Sequence, residues 1–476
     1  MNRKKYLFKN TVIMAIGSFS TKFISFFLVP LYTKVLTTTQ YGTIDLMYTL
    51  CLVLAPLFTL NIAESVMRFL LDKNDNHKEI LTIANTILLI AIILSLIIVP
   101  ISSCFSILTN YSWLLYFYLI SLCSSQIYLA YLKGIEKLTL YSFGNFLQTL
   151  LIALFNLYFL LKLNMGIKGY FLAYIIANFL VTLFAIISGN IFKNISLNID
   201  KKLLKDMVKY SVVLIPTSFL WWIMNSSDRV MISKMLNVSA NGVYAVSYKI
   251  PSMISVFITV FAQAWLFSAI KEENSEDTVK YTNLVFKRLF GFSSIIAIGL
   301  FTILKPFLKI YVASDYFISW KYTPFLIIGA IFQGMATFLS TSYNVKKDNK
   351  GFLYSGLIGA LLNIILNFML IPTFKVYGAA FATCISYIVV FIYRILDTKK
   401  YCYVKFHTEY FITSILLLFI SFLTVYIDNL FGQCLLVIEF FIVLFINKDF
   451  LIEILNFISK LLKKENAKWF VLSLNV

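Results

Sequence analysis

Apolar stretches of about twenty residues, separated by short polar and charged segments, recur along this 476-residue chain. Leu81–Ser102, Phe171–Ser188 and Phe411–Ile427 are three of them. At about 1.5 Å of rise per residue, a helix of about 20 residues crosses the hydrocarbon layer of a bilayer. The runs are apolar on every side, whereas a helix of a soluble bundle carries one apolar stripe. Read between charge clusters, they predict fourteen spans, near 9–33, 41–63, 80–102, 112–132, 140–161, 168–190, 208–227, 241–268, 283–304, 322–343, 352–373, 377–396, 409–427 and 430–447. Phe307–Trp320 is short and mixed, and reads as an interfacial loop or re-entrant piece. The fold class is therefore all-α integral membrane, with about fourteen transmembrane helices.

Composition supports this reading. Hydrophobic residues make up 60% of the chain and charged residues 13%, against about 25% charged in a typical soluble domain. The net charge of +19 raises nucleic acid as a partner. However, the Lys and Arg are spread over short loops and form no basic surface domain that a duplex could use, so nucleic acid is set aside. The charge instead fixes topology. With the N-terminus cytoplasmic, the inner loops and chain ends hold most of the 41 Lys and Arg, and the inverted arrangement would put the excess outside. Both termini are thus expected to face the cytoplasm. Met1–Lys5 resembles a signal n-region, yet no small-residue cleavage site follows, so the first helix is read as retained. The tail Lys448–Lys468 alternates Lys with Leu and Ile; it reads either as an amphipathic helix on the inner leaflet or as a frayed polar end. Cys51, Cys104, Cys123, Cys384, Cys402 and Cys434 show no metal-type spacing and read as small apolar residues.

A shift of 200 residues aligns Thr33–Gly42 with Ser233–Gly242, with Lys34/Lys234, Leu36/Leu236, Gly42/Gly242 and, just beyond, Tyr48/Tyr248 identical. A second match, at a shift of 209, pairs Gly169 and Ala173 with Gly378 and Ala382. Together they divide the chain into two six-span lobes, 1–200 and 201–400, with two further helices and a cytoplasmic tail in 401–476. Six spans is an even number, so the repeats are parallel, and transport folds rock such halves about a central site.

Against this background the charges inside spans stand out, because an ionisable group at a span centre costs about 2.5–3.5 kcal/mol on insertion scales. Lys22 lies mid-way along span 1, Lys249 in span 8, Asp45 early in span 2 and Glu439 in span 14. Asp228 and Arg229 end span 7; Glu64 and Arg68 close span 2 at a spacing of four, which also suits a helix-stabilising pair. Snorkelling is the competing reading for Lys22, and simple solvation for Asp228 and Arg229. If Lys22 and Lys249 face one cavity, they come from opposite lobes and make it cationic, fit for a phosphate or pyrophosphate head group. Lys22, Lys249, Arg229 and Arg68 are the candidate substrate-binding residues; Asp45, Glu64 and Asp228 are the candidates for ion coupling. Pro30, Pro56, Pro216 and Pro251 fall in spans 1, 2, 7 and 8, where kinks would help those helices bend.

No phosphate-binding loop, nucleophile elbow or metal-ligand cluster is present, and the only histidines, His77 and His407, fall in loops. The reading is therefore a transporter without catalytic residues, cofactor or metal, driven by an ion gradient or by substrate supply.

Phe8–Asn10, Gln40–Gly42, Glu64–Phe69, Ser227–Ile232, Gly242–Ile250 and Phe261–Trp265, in that order and topology, resemble the polysaccharide exporters, or oligosaccharide flippases, of the multidrug/oligosaccharidyl-lipid/polysaccharide (MOP) superfamily. The resemblance covers essentially the whole chain. It implies a V-shaped pair of helical bundles, alternating access, and a place in the bacterial inner membrane. The implied cargo is an oligosaccharide repeat unit on polyprenyl pyrophosphate, carried to the outer leaflet for capsule, O-antigen or exopolysaccharide. Membrane lipids, a coupling Na+ or H+ and polysaccharide polymerase machinery are the implied partners. Lipid II flippases of the superfamily carry several cavity arginines early in span 1; this chain has one lysine, Lys22, in that span, which argues against lipid II. Two alternatives are an ion-coupled drug/cation antiporter of the same superfamily, which prefers an anionic cavity, and a membrane polysaccharide polymerase or ligase, which needs a large outer loop.

Overall fold

The structure is a computed structural model that describes residues 20–72, 77–103, 105, 107–191, 199–271, 277–346, 348–401, 404, 409–453, 455, 456 and 459. The segments Met1–Lys5 and Phe8–Asn10, together with Cys104, Cys402 and His407, lie outside them, as does the tail beyond 459.

Among the described residues the chain is helical and without strands. After α1 (20–35) come α2 (Thr38–Phe58), α3 (Ile62–Leu71), α4 (His77–Ser95), α5 (Ile98–Ser103), α6 (Ser112–Gly134), α7 (Leu138–Asn156) and α8 (Gly166–Ser188). The second half holds α9 (Lys201–Met235), α10 (Val238–Ser247), α11 (Lys249–Lys271), α12 (Thr278–Tyr311), α13 (Thr323–Lys346), α14 (Asn349–Phe374) and α15 (Val376–Thr398). α16 (Glu409–Thr424) and α17 (Leu430–Ile446) follow. Ten of the described helical stretches are long and apolar enough to cross a membrane, and α16 and α17 are shorter apolar helices. With α1, and with α10 and α11 taken as one passage, this matches the fourteen spans read from the sequence.

Polar side chains set many of the helix starts by accepting bonds from otherwise unpaired N–H groups. Thr37 and Gln40 form a reciprocal capping box on α2, and Asn237 caps α10 through the N–H of Ala240. Asp200, Asp348 and Asn429 do the same for α9, α14 and α17.

Three boundaries differ from the hydropathy reading. The second span ends at Phe58; Leu60 and Asn61 then turn through positive φ (52° and 55°) and start the separate helix α3, so Glu64 and Arg68 sit on α3. The eighth passage is broken between Ser247 and Lys249. α12 continues through Pro306 to Tyr311, so Phe307–Tyr311 is helix and only Ser314–Lys321 forms a short 3-10 segment beyond it. The described start of the tail, 448–453, is helical.

Helices before residue 190 pack mainly on one another, as do α9 to α15, while α16 and α17 lean on α12. Phe286 of α12 is the centre of an aromatic joint: its ring lies 5.5 Å from Phe338 of α13, 6.4 Å from Phe391 of α15 and 5.5 Å from Phe411 of α16. In the first half a tyrosine cluster has the same role, with Tyr170 stacked on Tyr174 at 4.7 Å and Tyr32 edge-on to Tyr170 at 5.2 Å. The two groups of helices meet where α2 crosses α9 and α10, and again where α3 meets α9. At the latter contact the Ser65 hydroxyl donates to the Met207 carbonyl at 2.9 Å.

Candidate functional site

The α2–α10 crossing is so close because both helices present glycine. A Cβ at Gly42 would collide with the Val238 carbonyl oxygen, and a Cβ at Gly242 with that of Thr38. Beside the glycines the Thr38 and Ser239 hydroxyls share a hydrogen bond of 2.7 Å. Directly before Gly242, the amide of the fully buried Asn241 donates to the Gly42 carbonyl at 3.0 Å and to Asp45 Oδ2 at 3.4 Å. Arg229 Nη1 of α9 meets Asp45 Oδ1 at 2.8 Å, and its guanidinium lies 5.2 Å from the Tyr248 ring. A buried guanidinium is thus held by a carboxylate from the other half of the chain and by an aromatic face, the two environments in which arginine is best tolerated away from water.

Below this closed end the halves part and leave a cavity of about 560 Å³. Lys22 and Arg229 are the cations on its wall; Tyr48, Tyr248 and Tyr387 supply aromatic faces, and Asn145, Asn225, Gln333 and several hydroxyls supply neutral polar groups. Among the described residues no carboxylate lines it. Aromatic faces alternating with amides and hydroxyls suit a sugar, whose ring is apolar above and below and polar at its rim. The cavity shares Leu52, Tyr141 and Asn145 with a second space of about 500 Å³ in the first half, where Glu64 and Lys133 are found.

A polar cluster is buried in the second half, behind the cavity wall. Asp228 Oδ2 accepts from the Tyr244 hydroxyl at 2.5 Å and from Thr383 Oγ1 at 3.3 Å. Thr383 Oγ1 accepts from Asn363 Nδ2 at 3.4 Å, and Asn363 Oδ1 accepts from Ser227 at 3.3 Å and Asn367 at 3.0 Å. Asn367 Oδ1 is buried without a partner among the described residues. One carboxylate with amide and hydroxyl oxygens from α9, α14 and α15 is a donor set for a hard cation of low charge, and the orphaned amide oxygen fits such an occupant.

The sequence candidates therefore fall in four places. Lys22 and Arg229 line the cavity, and Asp45 neutralises Arg229 behind it. Lys249 does not line the cavity; its Nζ is 5.9 Å from the Tyr41 ring, near enough to Lys22 for the two charges to interact. Asp228 belongs to the buried cluster. Arg68 is remote: it is half exposed at the end of α3 and pairs with Asp72 one turn on, so the expected Glu64–Arg68 pair gives way to Arg68–Asp72. Glu439 lies in α17, where its Oε1 accepts from Thr424 at 2.8 Å. Asn241, Asn363, Asn367, Thr383, Gln333 and Tyr387 were not singled out from the sequence. The one available signal was the spacing of four between Asn363 and Asn367, which puts two amides on one helix face.

A polysaccharide biosynthesis protein family matches residues 7–270, more than half of the chain, and a Lipid II flippase MurJ family matches residues 324–446. An uncharacterized membrane protein of Methanocaldococcus jannaschii is 26% identical over 275 residues, which span 54% of this chain and 61% of that protein's length. Among solved structures, a Lipid II flippase MurJ in an inward closed conformation is similar with a TM-score of 0.66 at 18% identity, covering 93% of this chain and all of that one. An inward-facing multidrug resistance MATE family transporter of the MOP superfamily is similar at 0.66 and 13% identity, covering 81% of this chain and 97% of its own. A MOP superfamily transporter from Pyrococcus furiosus gives 0.58 at 13% identity, covering 82% and 95%.

Proposed function

The chain belongs to the polysaccharide biosynthesis protein family, and from that premise we propose that it is a flippase for oligosaccharide repeat units linked to polyprenyl pyrophosphate. The observation that carries the reading is the lining of the central cavity: two cations, tyrosine faces and neutral hydrogen-bonding groups from both halves, with no carboxylate among the described residues. A pyrophosphate needs cationic partners and an oligosaccharide needs ring faces and hydrogen bonds. The lining disfavours a drug/cation antiporter, whose cargo calls for negative charge. Among the described residues the lining holds no carboxylate or histidine to serve a polymerase or ligase as general base.

The proposed mechanism is alternating access between lobes 1–200 and 201–400 in a bacterial inner membrane, with both termini cytoplasmic. With that orientation, the α2–α10 crossing and the Asp45–Arg229 bridge would shut the outer end, and the cavity would lie on the inner side of that seal. The pyrophosphate is taken by Lys22 with Arg229, and Lys249 adds field from behind the lining; the glycan lies along the tyrosines and amides. Outward opening requires Asp45 to release Arg229, which leaves Arg229 free to follow the pyrophosphate. Asp228, Asn363, Asn367 and Thr383 would hold a coupling cation, whose charge would bias α9 toward one of the two states. The test is translocation of a fluorescent polyprenyl-pyrophosphate oligosaccharide in proteoliposomes. Wild-type protein should move it and should not move a cationic dye under an ion gradient. Dye transport without glycolipid flipping would overturn the reading.

A further inference from the structure

Arg394 of α15 is the one strongly buried cation, among the described residues, for which no carboxylate is at hand. It is only 3% exposed, within a membrane-spanning helix. Its Nε donates to Ser355 Oγ at 3.0 Å and its Nη1 to the Ala336 carbonyl at 2.8 Å, and the guanidinium lies 5.3 Å from the Phe352 ring. All three partners are neutral. The nearest acid along the helix, Asp397, is taken by the Tyr343 hydroxyl at 2.7 Å and by Lys400 at 3.0 Å, and Asp348 is likewise taken by Tyr401 and Lys400. A desolvated charge with only dipolar partners is costly, and an ionisable residue kept inside a membrane marks a candidate functional site.

The surroundings point to what such a site would hold. Arg394 lines the end of a small pocket whose walls include Thr217, Trp221, Gln333, Thr337 and Tyr387. Gln333 and Tyr387 also line the central cavity, so the pocket adjoins the cargo site across those two side chains. Its free volume of about 20 Å³ holds a group of one or two water-sized units, too little for a sugar ring. Nη2 of Arg394 makes no hydrogen bond with the described residues, so one arm of the fork is left for an oxyanion.

We propose that the Arg394 chamber binds a small oxyanion, a carboxylate or phosphate substituent, and that it reads acidic sugars in the transported glycan. The assignment of the anion to the cargo rests on the flippase reading; the existence of the anion site does not. A free cytoplasmic anion presents the same chemistry, and the two arms below separate the sources.

The first arm uses the purified full-length protein and iodide quenching of tryptophan fluorescence. Comparison with Trp221→Phe isolates the Trp221 contribution, and glucuronate and inorganic phosphate serve as competitors with glucose as the neutral control. Glucuronate or phosphate, and not glucose, should protect Trp221. Arg394→Gln should weaken that protection roughly tenfold to a hundredfold, the range for losing a charge-assisted bond. Thr337→Val, which leaves the Ser355 and Ala336 ties intact, should weaken it in the same direction if Arg394→Gln fails to fold. No anion-specific protection in the wild type, or protection unchanged in Thr337→Val and in a folded Arg394→Gln, would overturn the site. The second arm compares flipping of two pyrophosphate-linked glycolipids, one with a uronic acid and one neutral. Selective loss of the acidic one in Arg394→Gln, or in Thr337→Val, supports the cargo as source; equal effects on both would overturn it in favour of a free anion. A wild type that binds the anion and flips neither glycolipid would sink the flippase reading alone.

Discussion

Gly42 and Gly242, two hundred positions apart in the chain, face one another across the α2–α10 crossing, each lying against backbone of the opposite helix. The arrangement is reciprocal: the first glycine meets Val238 and the second meets Thr38. Without side chains the two backbones approach closely enough for Thr38 and Ser239 to hydrogen-bond beside them. Small residues at a helix crossing in lipid gain packing contacts that a larger residue would forfeit. Gly42→Ala or Gly242→Ala is therefore expected to hold the helices apart and weaken the closed end. A Thr38→Cys/Ser239→Cys pair reads the same closure directly, since its hydroxyl oxygens are 2.7 Å apart. Under oxidation the pair should crosslink and stop flipping, and reductant should restore it; adding Gly42→Ala should slow crosslinking several-fold. Full transport by the crosslinked protein would show that this end does not open.

The Asp45–Arg229 bridge gives a second prediction. Its side chains are only 8% and 15% exposed, so removing one partner leaves the other charge poorly solvated, at a cost of about 3–5 kcal/mol. Asp45→Asn and Arg229→Gln should each lower thermal stability and flipping. The Asp45→Arg/Arg229→Asp exchange should recover stability, because the pair is re-formed, but not transport, because the cavity cation has moved to α2. Recovery of both would mean that Arg229 serves only as a strut.

Lys22 and Lys249 separate cargo binding from folding. Neither makes an ion pair with the described residues, and Lys22 is exposed to the cavity. Lys22→Ala should therefore leave melting unchanged and abolish flipping of the pyrophosphate lipid, while Lys22→Arg should retain much of it. Lys249→Ala removes a charge that lies over Tyr41 behind the lining, and should cause a smaller loss that deepens as salt is lowered. Normal flipping by both alanine variants would take the two lysines out of the site.

These residues also show what a sequence can disclose in a membrane protein. Lys22, Asp45, Arg229 and Lys249 were legible because a charge in an apolar run has so few acceptable explanations. Asn241, Asn363, Thr383 and Gln333 were not, because single amides and hydroxyls are cheap in spans and common there. The spans themselves were legible from length and apolarity, but the Leu60–Asn61 turn was not: neither residue is glycine or proline, and Leu57, Phe58, Leu60 and Ile62 carry the apolar run across it. The break at Tyr248 left a trace, since Pro251, read as a kink in the eighth span, stands in the first turn of α11 just beyond it. In the sequence Arg394 stands beside Asp397, Lys399 and Lys400 at the end of an apolar run, whereas the packing of Ser355, Ala336 and Phe352 around it is a property of the assembled bundle.

At the rim, Asp348 yields a prediction in pH. Its carboxylate accepts from the Gly351 N–H, from the Tyr401 hydroxyl and from Lys400, and these contacts pull its pKa down to about 2. A carboxyl that is more acidic folded than unfolded stabilises the fold above its ordinary value near 3.8 and loses that contribution as pH falls through about 2. The wild type should thus lose stability between those limits, and Asp348→Asn should flatten that part of the profile while lowering the melting temperature at neutral pH. An acid limb left unchanged by Asp348→Asn would assign the limb to other carboxylates.

The last prediction concerns the Asp228 cluster, and its logic is linkage. A cation that binds the folded protein and not the unfolded chain raises stability as its concentration rises, by an amount that depends only on concentration and affinity. The donors are a carboxylate oxygen, the Asn363 and Asn367 amides and the Thr383 hydroxyl, and one of these amide oxygens is buried without a partner among the described residues. Replacing choline by sodium at constant ionic strength should therefore raise the melting temperature of the wild type and accelerate flipping. Asp228→Asn keeps the hydrogen bonds from Tyr244 and Thr383 but removes the charge, so it should fold and lose the sodium response. Asn367→Leu removes the orphaned oxygen and should weaken the response while sparing the hydroxyl pair on Asp228. A proton-coupled protein would give a different pattern, with no sodium effect in any variant and a wild-type flipping rate that follows the pH gradient and vanishes in Asp228→Asn. Sodium stabilisation that persisted undiminished in both variants would place the cation elsewhere and remove Asp228 from coupling.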